Sequence, residues 1–305
     1  LSRRPSAFSA LIAVDKPAGM TSHDVVSRVR RAVGERRVGH AGTLDPAATG
    51  VLVVGIGQAT KLLGMLTLDR KGYRATISLG AETTTDDAEG EVVASAEVGP
   101  ELLDAGRAGR EVAALVGEHD QVPPAYSAVS VGGRRAYDAA RSGEALELAP
   151  RRVRVHGADL VAVLPEQRAW VVDLDVSKGT YVRSIARDLG RALGCRAHVG
   201  SLRRVFSGPV SLVDCLSLDE LEAGGADLVR ERCLDPVAVL GLPARELAVT
   251  EIADVSCGRR LDARDEAPGR VALTFGGGLA GIWRREGRFL VCETNFPQAI
   301  EGVRP

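Results

Sequence analysis

The chain has no apolar run approaching the ~20 residues that a membrane-spanning helix needs, which argues against an integral membrane protein. No positively charged start leads into an apolar stretch, so a secretory signal is not expected. Cysteine is scarce and scattered: Cys195, Cys215, Cys233, Cys257 and Cys292 include no C-x-x-C pair. An odd, dispersed set in a chain of 305 residues reads as reduced cytoplasmic thiols rather than a disulfide framework. Cys195 and His198 have a metal-like spacing, but no second pair accompanies them, so no metal site is expected. A phosphate-binding loop is missing too. "GIGQATK" at Gly55–Lys61 lacks both the four-residue spacing and the Gly-Lys-Ser/Thr ending. "GGGLAG" at Gly276–Gly281 formally matches a dinucleotide fingerprint, but strand-like "IWRREGRFLV" follows where a helix is required, so it reads as a hairpin turn. No internal repeat is evident. ATP, dinucleotide and redox chemistry all lack a motif.

Net charge is nearly absent as well, at −1. Its distribution is uneven: +7 over residues 1–80, −9 over 81–150, +6 over 151–210 and −5 over 211–305. If the basic blocks pack together they form one positive face suited to a polyanion. Solvated charges also vary along any chain, so both readings stand on this feature alone.

What is present is a mixed pattern of strands and helices in a chain that is 45% hydrophobic, enough for a sizeable core. "LIAV" at Leu11–Val14 predicts a strand broken by Pro17 and Gly19. Thr21 or Ser22 caps a helix with Val25, Val26, Val29 and Val33 as its apolar stripe and Gly34 as its stop. "GVLVVGIG" predicts a central strand, and "ATKLLGMLT" a short helix. "KGYRATISLG" alternates, with Tyr73, Ala75, Ile77 and Leu79 on one face and Arg74, Thr76 and Ser78 on the other. "AETTTDDAEGE" is polar and acidic and predicts a loop. Residues 123–150 predict turns and a short helix, "VRVHGADLVAVL" and "WVVDLDVSKG" two strands, and "TYVRSIARDLGRALG" a helix with Tyr181, Ile185 and Leu189 in one stripe. Pro236 and Pro243 mark a boundary before a small β-rich segment. Without regular βαβ alternation, the fold class expected is α+β.

One short stretch stands apart. "GHAGTLDPAATG", Gly39–Gly50, holds Asp45 between Leu44 and Pro46 among small residues. The proline disfavours helical backbone at Asp45, and Gly42 and Gly50 permit tight turns or close approach of a ligand. An aspartate capping a turn is common, and this stretch alone favours that simpler role.

Its company changes the odds. "GHAGTLDPAATGVLVVGIGQATK" resembles the catalytic motif of the TruB family of pseudouridine synthases. "VDKPAGMTSHDVV" resembles the family's first motif, and "KGYRATISLG" with "TTTDDAEG" its tyrosine strand and acidic loop. "PPAYSAVSVGGRRAYDAARSGE" resembles its RNA-gripping insertion, and "SKGTYVRSIARDLGRALGCRAHVGSLRR" its arginine motif. The motifs follow in family order from about residue 11 to 205. Ala41 and Thr43 depart from other small residues of the family, and no role is assigned to the three threonines before Asp86.

The resemblance implies a mixed, largely antiparallel sheet catalytic domain of pseudouridine-synthase type over 1–242, with the insertion at about 120–150. It implies a small C-terminal RNA-binding domain over 243–305, of the PUA-like kind. The implied reaction converts a uridine of tRNA, uridine 55 in the TΨC loop, to pseudouridine. It breaks the C1′–N1 bond, turns the uracil and joins C5 to C1′, with no redox change and no cofactor. The implied partner is the T-arm of tRNA in the cytoplasm, with neither membrane nor protein partner required.

Site residues carry over by position. Asp45 matches the family's catalytic aspartate, which must be ionised to act as nucleophile or base. Attack at C6, attack at C1′ and removal of a sugar proton all stay open. Arg183 matches the arginine that pairs with that acid, where a permanent guanidinium fixes a carboxylate and lowers its pKa. Tyr73 matches the tyrosine that stacks on the target base, for which a proton-acceptor role at C5 is also implied; core packing explains its position equally. His40 matches a histidine beside the flipped nucleotide, though a lone histidine is more often structural. Tyr181 and Leu202 match the uracil pocket and fit plain packing too. Lys16 and Lys61 are expected at phosphate or in solvent. The basic blocks at 28–37, 134–135 and 203–204 are expected to offset base extrusion, roughly a few kcal/mol, through phosphate contacts.

Two other classes compete. A non-catalytic RNA-binding or chaperone protein on the same fold would be favoured by loss of Asp45 or Arg183, and both are present. A glycosidase-like hydrolase needs a second acid near Asp45, and no motif-bound acid stands out.

Overall fold

A computed structural model describes residues 8–66, 70–127, 129–142 and 146–304. The chain forms two compact units. One holds residues 1–46, 50–68 and 207–305 as far as they are described, and the other holds 47–49 and 69–206. Among the described residues, no helix is long and apolar enough to cross a membrane.

The first unit opens with β1 (Ala10–Lys16), α1 (Ser22–Val33), β2 (Val38–Ala41) and β3 (Thr49–Ile56). Thr21 caps α1 in a capping box with Asp24, and Gly34 closes it in the left-handed conformation. β1 and β3 pair antiparallel along their length, and β2 adds to β3. Both faces of this pair are buried. Ile12, Val14, Leu52 and Val54 pack on the valines of α1, while Leu11, Ala13, Val51 and Val53 face a second cluster. That explains the unbroken apolar reading of "GVLVVGI", since a strand covered on both sides does not alternate. The helix expected at "ATKLLGMLT" is instead a 3-10 turn, Gly57–Leu62. It packs so closely on β3 that a Cβ at Gly55 would lie 2.9 Å from the Ala59 carbonyl oxygen.

The second unit contains β4 (Arg70–Leu79), β5 (Ala81–Thr83), β6 (Val92–Ser95), α2 (Ala105–Ala113) and β7 (Gly117–Gln121). Next come the insertion's small β8 (Ser130–Val131), β9 (Arg134–Arg135) and α3 (Ala136–Arg141); residues 143–145 of the insertion lie outside the described residues. Then follow β10 (Arg151–Leu164), β11 (Ala169–Ser177), α4 (Val182–Ala192) and β12 (Ala197–Ser207). The strand order is β12-β4-β11-β10-β7, and the pairs β4–β11, β11–β10 and β10–β7 are each antiparallel. β4 alternates as expected, with Tyr73, Ala75, Ile77 and Leu79 buried and Arg74 exposed beside Asp173 of β11. The acidic stretch after β4 is a correction. It begins with a strand, and Glu82, Thr83 and Asp86 are buried rather than solvated.

The first unit then resumes with β13 (Val210–Ser211), β14 (Cys215–Leu216), α5 (Leu218–Arg232) and α6 (Pro236–Leu240). β14 pairs parallel with β1. The last strands, β15 (Ala244–Glu246), β16 (Leu261–Asp262), β17 (Arg270–Phe275), β18 (Gly278–Glu286) and β19 (Phe289–Glu301), form a sheet ordered β15-β17-β18-β19-β16. Gly276 and Gly277, at φ +56° and +76°, make the two-residue turn of the β17–β18 hairpin. Ala272, Leu279, Ile282, Phe296 and Ile300 of this sheet pack into the cluster over β1 and β3. The fold is α+β, with largely antiparallel strands and a β-rich C-terminal part.

Candidate active site

Asp45 sits in the loop between β2 and β3, and the backbone on either side of it is tied down. The Leu44 N–H donates to Ser22 Oγ at 2.9 Å, and that hydroxyl contacts the Leu44 carbonyl at 3.1 Å. The Pro46 carbonyl accepts from the Gly19 N–H at 3.0 Å and from Lys16 Nζ at 3.1 Å. Gly42 and Gly50 bracket the loop at φ +88° and +101°, a region closed to most side chains. Asp45 itself is half-buried. The first motif thereby acquires a physical role, since Lys16, Gly19 and Ser22 fix the turn that carries Asp45.

Lys16, expected at phosphate or in solvent, is 0% exposed. Its ammonium donates to the carbonyls of Pro17 and Pro46. Lys61 sits in the 3-10 turn, donates to the Asn295 carbonyl at 3.0 Å and lies 5.7 Å from the Phe296 ring centroid. Partial burial, helped by the positive Arg37, pushes its pKa below the usual lysine value. His40 is half-buried on β2 opposite Val54.

In the second unit, Arg183 lies in the first turn of α4 and is only 5% exposed. Its guanidinium donates to the carbonyls of Thr85 and Tyr126, both at 2.9 Å, and lies 3.5 Å from the Asp87 carboxylate. The same helix face continues with Arg187 on Asp86 at 2.8 Å and Arg191 on Glu82. Sequence reasoning left the acidic stretch without a role, yet it supplies three carboxylates to three arginines spaced i, i+4, i+8. That spacing was the available signal, because such arginines share one face and need partners when buried. Asp86 takes a left-handed backbone, φ +61°, which places its side chain against Arg187 and its carbonyl on the Val199 N–H. Burial pushes its pKa up in spite of that arginine. Glu82 moves the other way, held below the usual carboxylate value by its hydrogen bond to Arg191.

Tyr181 is the residue preceding α4 and is half-buried against Val129, Ala136 and Leu148 of the insertion. Tyr73, 8% exposed, pairs with Leu174 across β4 and β11. The residue before it must be small: a Cβ at Gly72 would lie 2.0 Å from the Phe206 ring. Leu202 is half-buried on β12, the neighbour of β4 in the sheet. The structure thus gathers Lys16 with the Asp45 loop and Tyr181 with Arg183, and directs Lys61 to the C-terminal sheet. Within the basic blocks, Arg28 is bound bidentately by Glu222, Arg30 donates to the Val38 carbonyl, and Arg204 is fully buried.

The chain is similar to known proteins over most of its length. Residues 30–182 match the TruB family pseudouridylate synthase N-terminal domain, and residues 183–238 match the tRNA pseudouridylate synthase B C-terminal domain. The chain is 49% identical over 260 residues to tRNA pseudouridine synthase B of Arthrobacter sp. (strain FB24), covering 84% of this chain and 83% of the relative. It is 46% identical over 291 residues to tRNA pseudouridine synthase B of Nocardia farcinica (strain IFM 10152), covering 94% and 92%. Among solved structures, the fold is similar to a Cbf5-Nop10-Gar1 complex, with a TM-score of 0.67 at 23% identity over 95% of this chain and 85% of that one. An H/ACA RNP bound to a substrate RNA containing 2′-deoxyuridine gives a TM-score of 0.66 at 22% identity, over 94% and 84%. The chain belongs to the TruB family of tRNA pseudouridine synthases.

Proposed function

We propose that Asp45 is the carboxylate on which catalysis depends, with Arg183 the guanidinium that keeps it charged and Tyr73 the platform for the extruded base. The activity itself is that of the family: the isomerisation of uridine to pseudouridine at position 55 of tRNA. Reaching C1′ of a nucleotide stacked in a folded loop requires flipping it out, at roughly a few kcal/mol. A turn of small residues lets that nucleotide approach. A backbone pinned at Leu44 and Pro46 presents the acid without reorganisation when it arrives. That double pinning is the observation that carries the reading. His40, Tyr181 and Leu202 are assigned to the surroundings of the base, and Lys16 to holding the Asp45 turn.

The finer partner is the T-arm. Residues 1–242 form the catalytic domain and 243–305 a small RNA-binding domain, and the protein works in the cytoplasm without a cofactor or protein partner. Purified protein incubated with an isolated T-arm stem-loop should convert the loop uridine at position 55. Binding of that stem-loop with no pseudouridine formed would favour the non-catalytic RNA-binding reading instead.

A further inference from the structure

We infer that Gln121 is a positioning residue for this reaction: its side-chain amide fixes the main chain of Tyr181 and thereby the start of α4 that carries Arg183, an inference that rests on the roles proposed above for those two residues. The Tyr181 position precedes α4 but offers no side-chain acceptor to cap it. Gln121, at the end of β7 and 60 residues away, instead holds the main chain of Tyr181 itself. Its Oε1 accepts from the Tyr181 N–H at 2.8 Å, and its Nε2 donates to the Tyr181 carbonyl at 3.1 Å. A primary amide, unlike a trans peptide, carries an N–H on the same side as its carbonyl, so it pairs with the N–H and the C=O of a single extended residue such as Tyr181. The same Tyr181 carbonyl accepts the first helical bond from the Ile185 N–H at 3.1 Å.

Gln121 is itself held in the fold. It is 4% exposed, and its main chain is in register with Arg151 of β10. The residues after it continue the grip on α4. The Val122 carbonyl accepts from Ser184 Oγ and from Arg187, each at 2.9 Å, and the Tyr126 carbonyl accepts from Arg183. This strap is also the entry to the insertion, whose Val129, Ala136 and Leu148 pack on Tyr181. Gln121 is thus the fixed end of a segment running from a sheet edge, over the first turn of α4, into the insertion. The strap's bonds from Val122 and Tyr126 come from backbone carbonyls, which no substitution removes. The Gln121 amide is the part of the device that mutation can delete.

The test is Gln121→Met, which keeps the length and bulk of the side chain and removes both bonds. The rate of pseudouridine formation at saturating tRNA in a single turnover should fall roughly ten- to a hundredfold, the cost of a misplacement of about 1 Å near the reacting groups. tRNA affinity should stay at the wild-type value. Gln121→Glu keeps the acceptor for the Tyr181 N–H and loses the donor, and its rate should fall between the two. Val153→Ala, a buried change on β10 beside this region, serves as the stability control, and all rates are taken below each protein's melting temperature. A control that melts lower but turns over at the wild-type rate supports the assignment. A wild-type rate in Gln121→Met, a loss confined to tRNA affinity, or an equal rate loss in Val153→Ala would overturn it. Asp45→Asn and Arg183→Leu run in parallel separate the two levels. If they are inactive while Gln121→Met is normal, only the role of Gln121 fails. If they turn over normally, the site assignment fails first.

Discussion

The buried ammonium of Lys16 lies 3.1 Å from the carbonyl oxygen of Pro46, so the residue that follows Asp45 is held by a cation 30 positions away in sequence. A lysine is seldom fully buried unless its charge is met by acceptors. Here the partners include two backbone carbonyls, one in the first motif and one in the Asp45 turn.

Lys16→Met removes that tie while keeping the aliphatic stem. The Pro46 carbonyl then loses the ammonium as a donor, and the ties from Gly19 and Ser22 remain. The expected result is a turnover rate lowered about tenfold or more at saturating tRNA, with tRNA affinity little changed. A variant that loses affinity and keeps its rate would return Lys16 to phosphate contact.

Gly72→Ala tests the packing that seats Tyr73. The added methyl would meet the Phe206 ring at 2.0 Å, an overpacking clash costing ~1–3 kcal/mol. Urea unfolding should show the loss, and activity should fall with it because Tyr73 is the next residue. Adding Phe206→Leu should restore part of the stability. Equal stability of Gly72→Ala and wild type would mean the ring moves aside freely.

Asp87→Asn leaves Arg183 with its two carbonyl acceptors and removes the carboxylate 3.5 Å away. The guanidinium is buried, so weakening its acidic partner changes where its charge is directed. A rate decrease of about tenfold is expected, which corresponds to about 1.4 kcal/mol of barrier. Circular dichroism should show an unchanged fold. Full activity would confine Asp87 to a loop role.

Glu82 gives a signed pH dependence. Its hydrogen bond to Arg191 holds its folded pKa below the ordinary value of 4.5. Its contribution to stability is therefore fully present above that value and is lost as pH falls through the lower, folded one. Asp86 has the opposite sign, because burial raises its folded pKa. It is present in both wild type and Glu82→Gln. The stability difference between these two proteins in urea should be largest above pH 4.5 and shrink as the solution becomes more acidic. A difference that grows on acidification would contradict the pairing.

What the sequence made legible was local. Thr21, the valine stripe and Gly34 define α1 because cap, period and stop lie within one helix length. The alternation of β4 placed Tyr73 on the buried face correctly because the period of a strand is two residues. The segment from Gly276 to Gly281 read as a hairpin because strand-like residues follow it, and the left-handed backbone of Gly276 and Gly277 makes that turn. What stayed hidden were contacts between distant segments. Nothing in "VDKPAGM" says that Lys16 will meet the Pro46 carbonyl. Gln121 lies 60 residues from Tyr181, and Arg187 lies 101 residues from Asp86. The polar acidic stretch looked solvated because composition reports hydropathy, whereas burial was decided by the arginines of α4 that neutralise it. Asp45 itself was legible only through its resemblance to a known motif. Its local surroundings fit an ordinary turn until the ties at Leu44 and Pro46 show how firmly the turn is held.

The central claim is that the Asp45 carboxylate performs the chemistry. It is tested most directly by tritium release from tRNA carrying C5-labelled uridine, comparing wild type with Asp45→Asn and measuring tRNA binding alongside. Wild type should release the label as C5 joins C1′, and Asp45→Asn should bind tRNA and release none. Release by Asp45→Asn at the wild-type rate would contradict the account.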